Sequence, residues 1–464
     1  MSRLFGGGDR RSVPVMEADS MSEILAAGPT QQAALLRAKE LSSRDLTVAT
    51  LAAVERENAR LNAVVELLAD EAFDAAAEAD RRRAEGEDGP LLGVPIAIKN
   101  DLDVEGHVTA RGSRSISTVA SADTELVAAI RAAGMVPVAT TTLPELAIYG
   151  FTESDAFGIT RNPHHLDHTP GGSSGGSAAL VASGAVSIAT ASDGAGSIRI
   201  PAACCGLVGF KPTHGTMPSS GGWHGLSTQG GLAARVADSA LFLDTFGHFD
   251  GPLVDAAARD PEPLRIGVST SASAATRALP LDPAVKQAMD HAAAKLSDAG
   301  HDVTDVTIPY GLDAKQLTVR YLAGIRDSTL TVDDPEKLER RTRQVARLAR
   351  VFGPRAVTRA IRAGERWGST VHDDLGVDVL LTPVMSGPAL PVGHFDGKGG
   401  LRLVLAMNSF YPYTAQWNHA GTPAVSMPVG RTPDGLPLAV QLIARRGDDV
   451  RLISLAGQLE RSLT

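Results

Sequence analysis

Residues 169–206 read TPGGSSGGSAALVASGAVSIATASDGAGSIRIPAACCG, and eight glycines and seven serines fall within those thirty-eight positions. Glycine weakens helices and strands, so this density inside a globular chain calls for a backbone reason. Without a Cβ, one backbone can approach another, or a ligand, closely, and positive φ carries no steric penalty. The two densest clusters, 171–176 and 194–196, each present several backbone N–H groups at a turn. Such clusters bind anions or developing oxyanions; the same composition also suits a pair of tight turns. Between them the sequence predicts a helix of small residues over 177–183 and a strand, VSIATAS. A further helix or turn opens near Ser197.

The flanking segments set the fold class. PLLGVPIAIKNDLDV is a short apolar run rich in branched residues and bounded by Gly and Pro, as a buried strand is, and Lys99 closes it. A helix (ADTELVAAIRAAG) and a strand (MVPVATT) follow. This alternation predicts an α/β fold, with a central mixed, mostly parallel twisted sheet covered by helices on both faces. Upstream, 20–85 reads as helical, with Ser42 and Asp45 marking a capped start. Downstream, 246–375 is more polar and mostly helical. DVLLTPV and LAVQLIA read as core strands, and GDDVRLISLAGQLERSL as a closing helix. The implied organisation is a flexible tail over 1–15 and a single domain over 16–464. That domain comprises N-terminal helices (16–90), a core (91–245), a variable helical cap (246–375), and C-terminal core strands with a helix (376–464).

Composition narrows the function classes. A net charge of −9 over 464 residues offers no basic surface for nucleic acid or an anionic membrane. No apolar run reaches the ~18 residues of a membrane span. The opening MSRLFGGGDRRS lacks the apolar centre of a secretory signal. Cys204 and Cys205 are neighbours and cannot staple distant parts of the chain; they read as two small buried hydrophobes in a reducing compartment. The expected location is the cytoplasm. Only eight of the forty-four basic residues are lysines, so Lys99 at the end of an apolar strand stands out.

Three motif readings compete for the glycines. A phosphate loop needs GxxxxGK[ST], and no lysine follows them; a dinucleotide GxGxxG is not met either. The stretch 172–176 does match GxSxG, the nucleophile elbow, with Ser174 as nucleophile. That elbow follows a strand, whereas NPHHLDHTP, with two prolines, precedes it here. It also needs a later histidine, for which His214, His224, His372, His394 and His419 are available. HHLDH (164–168) lies between prolines without helical spacing and reads as a solvated loop; no metal is expected.

Taken together, GGSSGGSAA, the DGAGSIRIP that follows about twenty residues later, and the upstream GVPIAIKND resemble the amidase signature family. GFKPTHG, ARVADSALFLD, DVLLTPV and NHAGTPAVSMPVG with GLPLAVQLI follow in that family's order, so the likeness spans roughly 22–464. The resemblance implies a Ser–Ser–Lys triad in place of a histidine. Ser197 matches the nucleophile, Ser173 the bridging serine, which in the family follows a cis peptide bond, and Lys99 the general base. The oxyanion hole falls on the backbone N–H groups of Gly194, Ala195, Gly196 and Ser197. Asp193 and Arg199 match residues that hold this loop, with Ser174 beside the bridging serine. Thr142, Trp223, Met407, Tyr411 and Trp417 are candidate substrate contacts. An unperturbed lysine is neutral in only about one molecule in 2,500 at pH 7, and bringing its pKa to about 7 means disfavouring the cation by roughly 4–5 kcal/mol. A lysine ending a buried strand sits where that cost arises.

Three departures touch the expected site. The family's K-D-N reads Lys99-Asn100-Asp101, and its K-T-N-x-P-E reads Thr140-Thr141-Thr142-Leu143-Pro144-Glu145. Its G-G before the nucleophile reads Ala195-Gly196, which reshapes the hole if that first position needs positive φ. The implied activity is hydrolysis of a linear amide through an acyl-enzyme on Ser197, without a cofactor. Carbamate or ester cleavage by the same triad is the alternative. A glutaminase subunit of a tRNA-dependent amidotransferase is a further one, weakened by Ile200 where Gln is common. A non-catalytic scaffold would leave the triad unused. The expected partner is a small amide or carbamate, with no nucleic acid or membrane; relatives are often homodimers.

Overall fold

The computed structural model describes residues 18–218, 222–272 and 280–463; the expected tail over 1–15 lies outside them. The strands are β1 (Val64–Leu67), β2 (Pro95–Lys99), β3 (Val136–Thr141), β4 (Glu153–Ser154), β5 (Gly158–Ile159), β6 (Ile188–Asp193), β7 (Val208–Lys211), β8 (Thr228–Ala233), β9 (Arg265–Val268), β10 (Asp302–Asp305), β11 (Val379–Pro383), β12 (Ala424–Arg431) and β13 (Pro437–Ala444). Eleven of them form one sheet in the order β1-β3-β2-β6-β8-β7-β12-β13-β11-β9-β10, and β4 pairs with β5 apart from it. Helices pack on the sheet, among them Gly175–Ala182, Arg199–Cys205, Pro283–Asp298 and Asp449–Leu463. The fold is α/β with a mixed sheet.

The sheet is not mostly parallel. β2 is parallel to β3 and β6, and β9 to β11 and β10, whereas the other neighbouring pairs are antiparallel. The reason lies in the connections. β12 and β13 are joined by a short turn through Pro433, Asp434 and Gly435, which only an antiparallel pair permits. β6 and β7 do flank a helix, as the alternation implies, but β8 enters the sheet between them and runs against both.

The region 246–375 is less uniformly helical than its pattern implies. It contributes β9 and β10, which extend the sheet beyond β11. β10 is short and largely exposed, so it carries little apolar periodicity. β1 is likewise a four-residue strand within the stretch read as helical. The capped start is present: Ser42 Oγ accepts from the Asp45 N–H at 3.0 Å ahead of helix Ser43–Leu61. The main apolar cluster runs from Leu25 to Leu459 and takes in both cysteines, which are unpaired and buried. No helix of the described residues is long and apolar enough to cross a membrane.

Helix Gly175–Ala182 follows directly on Ser173 and Ser174, and its seat depends on one close approach. A Cβ on Gly176 would lie 2.5 Å from the Thr142 nitrogen and 2.6 Å from the Ala63 carbonyl oxygen. Both are backbone atoms that cannot rotate away. Gly176→Ala is therefore expected to destabilise the protein by about 1–3 kcal/mol through overpacking. A urea midpoint that falls at unchanged slope would register this.

Candidate active site

Lys99 ends β2, whose five residues are all buried, and its own side chain is fully buried. Its Nζ donates to Ser173 Oγ at 2.9 Å and to Ser192 Oγ at 2.7 Å, and it lies 3.1 Å from Asp101 Oδ2. The Ser192 hydroxyl donates to that same carboxylate oxygen. An ammonium carries three donors and no acceptor, and here all three are met. Burial pushes the Lys99 pKa below the ordinary lysine value, and the carboxylates of Asp101 and Asp193 push back.

Ser173 is positioned by the first glycine cluster. The Gly172–Ser173 peptide is cis. A Cβ on Gly172 would meet the Phe151 nitrogen at 2.7 Å, so the turn lies against neighbouring backbone. Ser174 is fully buried at the start of helix Gly175–Ala182, and its hydroxyl reaches the Ser192 carbonyl at 3.4 Å. It lines neither cavity described below, so the elbow reading has no accessible nucleophile.

Ser197 sits in the turn between β6 and helix Arg199–Cys205. Asp193 ties this turn down: its carboxylate accepts the Gly196 N–H at 2.6 Å and the Ile198 N–H at 3.2 Å. Arg199 donates to both of its oxygens, Nε at 2.9 Å and an Nη at 3.0 Å. Arg199 also donates to the Thr414 carbonyl, Gln441 and Asn418, and Asn418 returns two hydrogen bonds to Asp193. The guanidinium holds the Asp193 carboxyl well below the usual carboxylate range despite complete burial.

Of the four N–H groups expected to form an oxyanion hole, that of Gly196 is therefore occupied by Asp193. Those of Gly194, Ala195 and Ser197 have no partner among the described residues. The left-handed position is Gly196, with φ 125°, where a Cβ would meet Thr414 Oγ1 at 2.4 Å. Ala195 is not among the positive-φ residues, so alanine there needs no unusual backbone.

Two cavities meet at Ser197 and Ala195. The larger, about 330 Å³, is lined by Ser173, Ser192, Asp101, Arg111, Trp223 and Asp327, among others. The smaller, about 80 Å³, is mostly apolar and includes Ile200, Leu322, Val404, Met407 and Tyr411. Ser173 and Ser197 face the larger cavity together, and no hydrogen bond joins them in this structure; unliganded sites often hold such contacts loosely. Of the candidate substrate contacts, Trp223 lines the larger cavity, and Met407 and Tyr411 line the smaller. Thr142 and Trp417 line neither. Thr142 is spent on Thr160 at 2.7 Å beneath Gly176. Trp417 is fully buried in the helix Ala415–Ala420, nearly all of which is buried, and its ring stacks on Trp367 at 5.4 Å. Glu145, from the second departure, is also sealed, accepting from Ser113 and the Glu339 N–H. In HHLDH, His164 Nε2 lies 2.9 Å from the Cys205 carbonyl oxygen, and the His165 and His168 rings pack edge to face.

Ser192, Asp101, Asn418, Gln441 and Thr414 are additions to the sequence reading. Ser192 and Asp101 had a signal, standing beside Asp193 and two places after Lys99. The others reach Arg199 across more than two hundred residues, and no local spacing announces them.

The sequence profile of the Amidase family matches residues 45–453. The Mycobacterium tuberculosis protein AmiB2 is 41% identical over 95% of this chain and 96% of its own length. The 6-aminohexanoate-cyclic-dimer hydrolase of Paenarthrobacter ureafaciens is 34% identical over 94% of each. A solved structure of 6-aminohexanoate cyclic dimer hydrolase with its substrate superposes with a TM-score of 0.85 at 29% identity, covering 95% of this chain and 97% of that one. A bacterial aryl acylamidase of the amidase signature family superposes with a TM-score of 0.81 at 25% identity, covering 94% and 96%. With a profile match over most of its length and a fold shared with these enzymes, the chain belongs to the amidase signature family and is an amide hydrolase.

Proposed function

We propose that the chain cleaves a linear amide through an acyl-enzyme on Ser197, with Ser173 as proton bridge and Lys99 as base. The observation that carries this reading is the buried Lys99–Ser173 contact of 2.9 Å opening onto the cavity that also holds Ser197. Neutral Lys99 takes the Ser173 proton while Ser173 takes that of Ser197, and Ser197 Oγ bonds to the carbonyl carbon. The carbonyl oxygen becomes an oxyanion beside the unpartnered N–H groups of Gly194, Ala195 and Ser197. Each such donor is worth about 10²–10³ in rate. The intermediate collapses as the C–N bond breaks, and the amine leaves with a proton from Ser173, which Lys99 replenishes. Water then attacks the ester, its proton returning along the same path, and the acid departs from a restored Ser197. The smaller role of Asp193 and Arg199 is to keep the turn in place. Two unpaired cysteines suit a cytoplasmic setting.

A fluorophosphonate tests the nucleophile. Intact mass should rise by one adduct, peptide mapping should place it on Ser197, and Ser197→Ala should remain unlabelled; an adduct on another serine would overturn the assignment. Lys99→Ala should lose about 10²–10⁴ in kcat near neutral pH, the span of general-base catalysis.

The pH profile tests the base separately. Lys99 works only when neutral, so kcat/KM rises with pH as it deprotonates. Because burial lowers its pKa, that rise should finish below the range of a free lysine. Asp101 opposes the shift, so Asp101→Asn should move the rising limb to lower pH still. A limb that stays put in this variant would remove Asp101 from the account.

A further inference from the structure

Ser173 faces the larger cavity and not the smaller, whereas Ser197 and Ala195 line both. On the mechanism proposed above, on which this inference rests, the departing amine takes its proton from Ser173. The amine half of the substrate therefore occupies the larger, polar cavity. The acyl chain lies in the smaller one, against Leu322, Val404, Met407 and Tyr411. At about 80 Å³ that space is below the 150 Å³ that takes up a benzene ring, so the acyl group is short and apolar.

The charges in the polar cavity then identify what the amine half carries. Asp101 is engaged by Lys99 and by the Ser192 hydroxyl. Asp327 holds Arg326 at 2.6 Å and lies 2.9 Å from His224 Nε2. Arg111 forms no ion pair among the described residues, and its guanidinium reaches only Thr331 Oγ1, at 3.5 Å. Its backbone is nonetheless fixed. The Arg111 N–H donates to the Asn100 side chain at 3.3 Å, and its carbonyl accepts from the Leu146 N–H at 2.7 Å. Asn100 directly follows Lys99, so the arginine is rooted on the strand end that carries the base. Arg111 also has φ 48°, a left-handed conformation that side chains rarely adopt. Seven non-glycine residues among those described do so, and five of them, Arg111, Leu146, Ala147, Trp223 and His224, line this cavity. Backbone strain of this kind gathers at ligand sites, where the surroundings over-determine it.

We infer that Arg111, among the described residues the one cation of the polar cavity without a carboxylate partner, receives a carboxylate on the amine half of the substrate, so that the enzyme hydrolyses N-acyl amino acids bearing a short apolar acyl group. A guanidinium binds a carboxylate through two parallel N–H donors. A dianionic phosphate would meet Asp101 and Asp327 with a single free cation to balance it. Hydrolysis consumes one water and releases a small carboxylic acid and a free amino acid.

The test uses the full chain and matched substrates: N-butanoyl ω-amino acids of increasing chain length, and N-butanoyl alkylamines of equal size without the carboxylate. The wild type should favour the acid of best-fitting length by about tenfold or more in kcat/KM, the return of one charge-assisted pair, expressed in KM. Arg111→Leu should bring the ratio of acid to neutral substrate to near one. Arg111→Lys should restore part of it, since it keeps the charge and loses the fork. Equal rates on both substrates in the wild type would overturn the inference while leaving amide hydrolysis standing, whether or not the variants fold. A preference that survives in folded Arg111→Leu would overturn the role of Arg111. Hydrolysis of neither substrate, with no adduct on Ser197, would sink the proposed mechanism and this inference together.

Discussion

The pairing of Asp193 with Arg199 is the contact on which the site depends. Both side chains are fully buried, and two charges taken out of water stay charged only when their partners are complete. Here they are: Asp193 accepts from two turn N–H groups, Arg199 and Asn418, and Arg199 spends its remaining donors on Thr414, Gln441 and Asn418. Asp193 ends β6 and Gln441 lies in β13, so the pair ties the turn that carries Ser197 to a distant strand of the sheet. Removing one member would strand the other charge, a loss of about 3–5 kcal/mol. Because Asp193 takes the Gly196 N–H, the turn is anchored through its glycine, and the neighbouring N–H groups stay unpartnered.

Lys99 lives under two opposed demands. Burial favours the neutral amine that the proposed base requires, while Asp101 favours the cation that the three surrounding acceptors fit. Neither demand alone would serve the proposed proton relay. An amine held permanently neutral returns a proton poorly, and one held permanently charged takes none. Proton transfer is most effective when the acceptor titrates near the working pH, and opposing desolvation with one carboxylate is a direct way to approach that balance. The interchange of Asn100 and Asp101 relative to the family pattern bears on it: the acid two places after Lys99 reaches Nζ, while Asn100 turns to the Val108 carbonyl and the Arg111 backbone.

What could be read from the sequence was what short contiguous segments encode. The buried strand before Lys99, the small-residue helix after Ser174 and the turn before Ser197 each carry their own pattern within ten residues, and each forms. Sheet direction did not follow, because β8 is placed between β6 and β7 by pairing across the chain rather than by local alternation. β10 was hidden in a polar region since an edge strand needs little apolar periodicity, and β9 beside it is only four residues long. Trp417 and Thr142 were candidates for substrate contact because of their position near motifs; burial on Trp367 and on the Gly176 turn decides otherwise. Asn418 and Gln441 were invisible for the complementary reason, since the partners they satisfy, Arg199 among them, lie far along the chain.

The distribution of left-handed residues carries a separate argument. Twenty-one glycines of the described chain take positive φ, where the conformation has no steric cost, so the fold has glycine at most of its left-handed positions. A side chain in that region costs roughly 1–2 kcal/mol. Lys39 and Asn62, the two such residues away from the cavity, stand just past helix ends, where a left-handed residue is common. Arg111, Leu146, Ala147, Trp223 and His224 have no such excuse, and glycine would satisfy their backbone more cheaply. Turn geometry therefore does not explain why side chains stand there. What the five share is the wall of one cavity, and the most direct account is that the cavity needs the guanidinium, the indole and the apolar surface they present. The glycine-rich turns give the site its backbone, and the positions where a side chain stands in place of glycine give the cavity its wall.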